Sequence, residues 1–258
     1  WWRRVGVRRV LRRRRPRAVA AGGCVVFWHT TSGPWPPGLG APTRSLCAAG
    51  IPGDRLCSHV HDDTESAVAC TLAAVDAGAR QIQGTLNGLG ERCGNANLTA
   101  LIPILLLKEP YASRYEIGVT RKALQGLTRT SRMLDEILNR VPMKQAGFVG
   151  SSAFAHKAGL HASAIAQDPS TYEHIDPALV GNARIIPMSN QAGQSNLRKR
   201  LADAGLNVQK GDPALGRILE VVKEREAQGY AYDTAPPSFA TLPRAVMGQL
   251  RPPFQVAR

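Results

Sequence analysis

Apolar and polar positions first show a regular pattern near residue 56. Leu56 and Cys57 begin a short apolar stretch that predicts a buried strand. Residues 64–78 then place apolar side chains three to four positions apart, with Thr64 suited to the N-cap and Gly78 suited to the end, which predicts a helix. A strand is therefore followed directly by a helix.

The same succession of elements continues to residue 139. Residues 80–86 predict a second strand, residues 87–95 a glycine-rich loop, residues from about 95 to 107 a helix, and residues 113–139 a long amphipathic helix. The order strand, helix, strand, loop, helix is that of a βαβ unit in a parallel sheet or barrel. The sequence therefore predicts an α/β fold.

From residue 141 the pattern weakens and predicts a smaller, loop-rich subdomain. Its clearest helices fall at residues 195–206 and 212–229, each near a glycine stop, and the Pro-rich stretch after Tyr232 predicts a linker or frayed tail. The predicted division of the chain is 1–55, 56–140, 141–232 and 233–258.

Positive charge is concentrated at the start of the chain. The 258 residues carry a formal net charge of +14, and residues 1–53 hold ten of the 33 Lys and Arg residues but none of the 19 acidic ones. Such a segment is typical of a nucleic-acid-binding arm or a transit peptide. Its Pro, Gly, Ala and Arg bias also fits a segment outside the native reading frame. We favour this last interpretation and expect residues 1–55 to be non-native or disordered.

Cysteine usage and hydropathy limit the cellular setting. The five cysteines form no CxxC pair, which favours a reducing cytoplasm over a secreted disulfide framework. We expect Cys93 to be a small buried residue. No stretch reaches the roughly 18 apolar residues of a membrane span, so no membrane partner is expected.

The stretch SHVHDDTE places His59 and His61 two positions apart at the end of the first predicted strand. That spacing puts both side chains on one face of a strand, at the edge where α/β folds gather ligands. Two imidazoles on one face suit a divalent metal ion. The alternative is a pair of histidines hydrogen-bonded in a loop. Asp62 and Asp63 are predicted to orient these ligands or to cap the next helix.

The loop NGLGERCGNANL lets the backbone approach a ligand closely at its three glycines, Gly88, Gly90 and Gly94. Its GxGxxxG spacing differs from the dinucleotide-binding fingerprint. Glu91 and Arg92 can form an ion pair that braces the loop. Asn95 has two alternatives, capping the following helix or turning its amide oxygen towards the metal.

Taken together, HVHDDTESAVACTLAAVDAGARQIQGTLNGLGERCGNANL closely resembles the acyl-CoA-condensing enzymes that make 2-isopropylmalate, homocitrate and citramalate. The stretch FVGSSAFAHKAGLHASAIAQDPSTYEHIDPALVGN resembles the subdomain that follows the barrel in this family, most of all in the citramalate synthase branch. The resemblance runs from about residue 56 to the end. It implies a TIM (β/α)8 barrel with its site at the C-terminal ends of the strands.

The resemblance also implies roles for individual residues. His59 and His61 would be metal ligands, with Asn95 a further or transient one, for Mg²⁺, Mn²⁺ or Zn²⁺. His161 matches a histidine that acts as a base or orients water, and Tyr172 matches an assisting tyrosine. The residues expected at the substrate and CoA loop are Gly88, Gly90, Glu91, Arg92 and Gly94. His156 is expected to pack or to hydrogen-bond to backbone, and His174 to stabilise its own loop.

The chain departs from the family pattern before His59. The family's RDG-type motif is not found, and only 58 residues precede His59 where relatives place more than half a barrel. We therefore expect an incomplete TIM barrel, comprising its last strands and helices, followed by a mostly helical subdomain. Such a C-terminal fragment is expected to have little or no synthase activity.

The function implied by the resemblance is a metal-dependent condensation of acetyl-CoA with a 2-oxo acid, followed by thioester hydrolysis. Pyruvate, as in (R)-citramalate synthase, is the expected acid, and a 2-isopropylmalate or homocitrate synthase-like enzyme is the alternative. Relatives of this kind are homodimers. Two other classes stay open: a non-catalytic subunit and, less favoured, a basic nucleic-acid-binding protein.

Overall fold

The computed structural model describes most of the chain after residue 34 and three short strands before it. The described residues are 9–10, 12–13, 26–30, 35–156, 158–185, 194–230, 232 and 236–250. Most of the arginine-rich run at residues 1–17, and with it the less favoured alternative of a nucleic-acid-binding arm, lies outside them. The chain divides into unit 1, residues 1–153 and 177–182, and unit 2, residues 154–176 and 183–258. It therefore passes between the two units three times.

Unit 1 contains a parallel sheet with one antiparallel edge strand. Its strands are β1 (Arg9–Val10), β2 (Arg12–Arg13), β3 (Val26–Thr30), β4 (Leu56–Val60), β5 (Gln81–Gln83) and β6 (Tyr115–Glu116). The main sheet has the order β1-β5-β4-β3, in which β3, β4 and β5 are parallel and β1 is antiparallel to β5. The predicted α/β fold is confirmed, with β4 in the centre of the sheet.

The helices of unit 1 follow and connect these strands. They are α1 (Pro36–Ala48), α2 (Ala67–Ala77), α3 (Leu98–Leu107), α4 (Tyr111–Arg114), α5 (Arg121–Leu124) and α6 (Leu127–Ile137). The helix α2 connects the parallel strands β4 and β5, as the hydrophobic pattern predicts, and buries Cys70, Ala74 and Val75. Its first amide is capped by Asp62, whose Oδ1 accepts from Ala67 N at 2.8 Å, so the prediction of Thr64 as N-cap is wrong.

The described part of residues 1–55 forms strands and a helix and is not disordered, while the interpretation that this segment lies outside the native reading frame stays a prediction. The helix α1 packs against α2, Leu39 is buried, and β3 extends the sheet in parallel beside β4. Prolines in the first turn of α1 are compatible with a helix, because those amides have no intrahelical partner. The Pro-rich composition therefore concealed a helix start.

The long helix predicted for residues 113–139 is broken into shorter elements. The strand β6 and the helices α5 and α6 lie within that range, and the side chain of Thr120 caps α5 by accepting from Ala123 N at 3.1 Å. Gly118 and Gly126 fall at the interruptions. Apolar spacing alone did not indicate these breaks.

Residues 177–182 return to unit 1 and are fastened there by side chains. Thr128 Oγ1 donates to Val180 O at 2.8 Å, and Asn182 Nδ2 donates to Phe148 O at 3.0 Å and Gly150 O at 2.9 Å. Gly181 has φ +68°, and a Cβ there would overlap the carbonyl oxygen of Gln125. This short segment is therefore a fitted part of unit 1.

The elements described in unit 2 are mainly helical: α7 (Gly159–Gln167), α8 (Gln194–Asp203), α9 (Pro213–Ala227) and α10 (Pro236–Val246). Phe239 of α10 is 2% exposed and packs in a cluster with buried residues of α8 and α9. The prediction of a linker or tail at residues 233–258 is therefore wrong for α10, because Phe239, Leu242 and Val246 form an apolar helical face. No helix within the described ranges has the length and hydrophobicity needed to cross a bilayer.

Candidate metal and catalytic sites

The end of β4 is joined to the glycine-rich loop by backbone hydrogen bonds. Ala96 N donates to Val60 O at 2.9 Å, Asp62 N donates to Gly94 O at 3.0 Å, and His61 pairs with Asn95 in an isolated antiparallel bridge. The loop therefore lies against the strand end that carries the two histidines, which brings Asn95 beside His61.

His59 and His61 lie on the same face of the strand, as their spacing predicts. Their ring centroids are 5.0 Å apart and the rings meet edge to face at 81°. His61 is only 5% exposed, and the Nδ1 atoms of both rings are buried. Two imidazoles are thus concentrated at the carboxyl end of a central parallel strand.

Asn95 was given two alternative roles, capping the next helix or binding the metal, and the structure decides against the first. Asn97 caps α3, because its Oδ1 accepts from Thr99 N at 2.9 Å, so the capping alternative for Asn95 is wrong. Asn95 is 1% exposed, its Nδ2 donates to Leu89 O at 3.1 Å, and its buried Oδ1 accepts no hydrogen bond from the described residues. A buried amide oxygen left in this way is costly unless a ligand completes it.

The glycines of the loop fit around Asn95 and around the loop backbone. A Cβ at Gly90 would overlap Asn95 Nδ2, and a Cβ at Gly94 would overlap the carbonyl oxygen of Gly88. Gly94 and Gly88 have φ of +97° and +68°, in the region that favours glycine. Contacts within the loop itself therefore require these glycines, and their close approach to a ligand stays a prediction.

Arg92 braces the loop through Asp63. Arg92 Nε and Nη2 donate to the two carboxylate oxygens of Asp63 at 2.7 Å and 2.9 Å, while the predicted partner Glu91 is 3.9 Å from Arg92 Nη1. The hydrogen bond from Arg92 holds the pKa of Asp63 below its ordinary value of 3.8. Cys93 is exposed, so the prediction that it is buried is wrong.

The donor set at the strand end fits a divalent cation with open coordination positions. It consists of the imidazoles of His59 and His61 and the amide oxygen of Asn95. In the part of the chain that the structure describes, no group of three or more His, Cys, Asp or Glu side chains forms a metal site. The nearby acids have other partners, since Asp62 caps α2 and Asp63 binds Arg92. Nitrogen and oxygen ligands with open positions are typical of catalytic sites.

His161 and Tyr172 meet in unit 2. Their ring centroids are 4.1 Å apart with planes at 29°, so the rings stack. Tyr172 follows a turn capped by Asp168, whose carboxylate accepts from the amide and the hydroxyl of Ser170, each at 2.9 Å. The two side chains to which the family resemblance assigns catalytic roles are therefore in contact within this unit.

Directly after Tyr172 is a buried ionic cluster that the sequence analysis missed. Glu173 accepts from Arg184 Nε at 2.6 Å and from Arg184 Nη2, and Glu173 Oε1 lies 3.1 Å from His156 Nε2. These hydrogen bonds, first of all those from Arg184, hold the pKa of Glu173 below its ordinary value of 4.5. His156 is predicted to pack or to hydrogen-bond to backbone, and no sequence signal indicates its contact with Glu173 or the role of Arg184. His174 stacks on Phe154, with ring centroids 6.0 Å apart, which is a contact outside its own loop.

Parallel strands linked by a helix, with two histidines and a buried amide at the strand end, define an α/β protein with a candidate metal centre. Comparison with known families gives a more specific assignment. A family model described as HMGL-like matches residues 42–132, and one described as homocitrate synthase post-HMGL domain-like matches residues 148–229. The chain therefore belongs to the family of 2-isopropylmalate, homocitrate and citramalate synthases, whose barrel is of the TIM type.

Individual relatives agree with this assignment. The chain is 48% identical over 198 residues to an (R)-citramalate synthase of Synechocystis sp. and 43% identical over 226 residues to one of Streptomyces coelicolor. It is 36% identical over 214 residues to a 2-isopropylmalate synthase of Olsenella uli. These matches cover 77%, 88% and 81% of this chain but only 35%, 41% and 41% of the relatives. The chain thus spans well under half the length of the relatives that it matches.

Proposed function

We propose that this chain is a segment of an (R)-citramalate synthase-like acyltransferase that condenses acetyl-CoA with pyruvate and hydrolyses the thioester. The observation that carries the proposal is the convergence of His59, His61 and the buried Asn95 Oδ1 at the end of β4. The relatives named (R)-citramalate synthase favour pyruvate over other 2-oxo acids. By the same family argument, the described strands and helices of unit 1 belong to the last part of a TIM barrel, and the intact protein is a homodimer.

Family resemblance suggests a role for each of the candidate residues. His59, His61 and Asn95 would hold a divalent ion, Mg²⁺, Mn²⁺ or Zn²⁺, which as a Lewis acid polarises the ketone of the 2-oxo acid. His161 takes the methyl proton of acetyl-CoA or orients the hydrolytic water, because an imidazole titrates in the range that such proton transfers need. Tyr172 stacks on His161 and presents its hydroxyl to the same step.

Metal binding tests the proposed centre without relying on turnover. Mn²⁺ is titrated into the full chain and into His59→Ala, His61→Ala and Asn95→Ala variants, with calorimetric or EPR detection. We expect one site that is lost in either histidine variant and weakened in the asparagine variant, because each removes a donor. His174→Ala, which removes a histidine at Phe154, is the matched control. Unchanged affinity in both His59 and His61 variants would contradict the proposal.

Release of free CoA thiol tests both the proposed condensation and the identity of the 2-oxo acid. The chain is incubated with Mn²⁺, acetyl-CoA and either pyruvate, 2-oxoisovalerate or 2-oxoglutarate. We expect low turnover that is highest with pyruvate and is lost in His161→Ala. A preference for 2-oxoisovalerate or 2-oxoglutarate would instead support the 2-isopropylmalate or homocitrate synthase-like alternative, and robust turnover would contradict the expectation of low activity.

A further inference from the structure

The turn that presents Tyr172 rests on a buried cluster, here named the carboxylate clamp, formed by His156, Glu173 and Arg184. The side chain of Glu173 is 2% exposed, and its two carboxylate oxygens receive both hydrogen bonds from the Arg184 guanidinium. His156 Nε2 completes the cluster at 3.1 Å from Glu173 Oε1. A carboxylate held in this bidentate way is fixed in orientation as well as in position.

The clamp is itself fixed by backbone hydrogen bonds on both of its sides. His156 N donates to Ile185 O at 2.9 Å, and Ile185 N donates to Phe154 O at 3.0 Å, so the backbones that carry His156 and Arg184 run side by side. Glu173 N donates to Pro169 O at 3.0 Å, which ties the carboxylate to the start of the turn. The turn therefore has little freedom to rotate.

Tyr172 and Glu173 are consecutive residues with different surroundings. Glu173 is buried in the clamp, whereas Tyr172 is 44% exposed and its ring stacks on that of His161. A half-exposed tyrosine has few packing contacts to hold it, so its direction depends on the backbone that carries it. Glu173 is the next residue on that backbone, and its side chain is held by Arg184.

We propose that the carboxylate clamp is a positioning device that sets the ring of Tyr172 against His161. The clamp residues do not react; they act through the turn that they hold. This inference rests on the proposed function, since His161 and Tyr172 are catalytic only there. It assigns Glu173, Arg184 and His156 a role in the reaction that neither the sequence pattern nor the names of the relatives indicate.

The test observes the His161 ring directly by NMR in the full chain. Its ring proton resonances are assigned by their disappearance in His161→Asn, and Tyr172→Ala defines their positions without the stacked tyrosine. We expect Glu173→Gln and Arg184→Ala to move the resonances towards the Tyr172→Ala positions. Because both variants break one clamp, the double variant should move them no further. Arg184→Lys, which offers a single donor group, should give an intermediate shift even if Glu173→Gln fails to fold.

Two controls separate positioning from general loosening. Glu220→Gln makes the same substitution at an exposed residue of α9, and Ile218→Val loosens the buried helical cluster of unit 2. Both should leave the His161 resonances unchanged, with folding checked by circular dichroism. Unmoved resonances in Glu173→Gln and Arg184→Lys, or an equal shift in Ile218→Val, would overturn the inference. Mn²⁺ titration of the same samples reports on the proposed function separately, because failure of the clamp does not remove His59 or His61.

Discussion

At the scale of single residues, Gly90 is important for the site because it has no side chain. A Cβ at this position would overlap Asn95 Nδ2, so the side-chain amide of Asn95 can keep its present position only while residue 90 is glycine. Groups that orient a metal ligand typically change affinity about 10–100-fold when they are altered.

We therefore expect Gly90→Ala to weaken Mn²⁺ binding roughly tenfold or more, measured by calorimetry. The added methyl displaces the Asn95 amide and thus its oxygen. Gly118→Ala is the matched control, because a Cβ at Gly118 meets nothing within 4 Å. Equal Mn²⁺ affinity in the Gly90 and Gly118 variants would show that Asn95 is not a ligand.

Glu173 makes the stability of the chain depend on pH in the acid range. Its pKa is depressed in the folded state, so it contributes stability that is present above the ordinary value of 4.5 and is lost as the pH falls through the folded-state pKa. We expect the free energy of unfolding to decline below about pH 4.5 in the wild-type chain and to decline less in Glu173→Gln. At neutral pH that variant should be less stable by about 1–3 kcal/mol, measured by urea unfolding. Parallel pH curves for the two proteins would contradict this.

At the scale of elements, α10 is part of the core of unit 2. Phe239 is 2% exposed and meets Tyr232 edge to face at 6.2 Å, and Arg200 lies over its ring at 5.0 Å. A buried aromatic ring of this kind contributes far more to stability than the residues of a frayed tail do.

Phe239→Ala is therefore expected to lower the free energy of unfolding by about 3–5 kcal/mol, because it leaves a cavity in the helical cluster. Leu160→Ala in α7 is the control, since Leu160 is 74% exposed and should change stability by no more than about 0.5 kcal/mol. Thermal and urea unfolding measure both variants. A Phe239 variant as stable as the Leu160 variant would mean that α10 does not contribute to the core.

At the scale of the whole molecule, the excess positive charge lies in a different part of the sequence from His59, His61 and Asn95. Residues 1–17 hold nine arginines and no acid, against a net charge of +14 for the chain. Deleting them should sharply lower the salt concentration at which the protein elutes from heparin, because fewer counterions are released on binding a polyanion. Deletion of residues 251–258 is the control. If both deletion variants elute from heparin at the same salt concentration, the charge that binds the polyanion lies outside residues 1–17.

Sequence patterns predicted those features of this molecule that depend on neighbouring residues. The alternation of β4, α2 and β5 and the shared face of His59 and His61 follow from periodicities of two and 3.6, which are local. Asn95 was left with two roles because the choice depends on whether Asn97 caps α3. Its role as a ligand stays a prediction.

Features that depend on distant contacts were missed. The helix α1 is stabilised by α2, and Phe239 of α10 is buried by residues of α8 and α9. Glu173 and Arg184 are eleven positions apart with no periodic relation, and their pairing follows from the backbone hydrogen bonds at Ile185. Composition and residue spacing do not indicate which residues far apart in the sequence will contact each other.

The three passages of the chain between the units have a topological consequence for residues 154–176. That segment leaves unit 1 after residue 153 and rejoins it at residues 177–182, where Asn182 binds the backbone of Phe148 and Gly150. Residues 154–176 thus form a loop whose two ends both continue into unit 1. The conformational entropy of closing this loop is lost when unit 1 folds. A protease cut after residue 182 would break the covalent link between residues 1–182 and the helices α8, α9 and α10. The segment that carries His161 and Tyr172 would still be joined covalently to unit 1 at both of its ends.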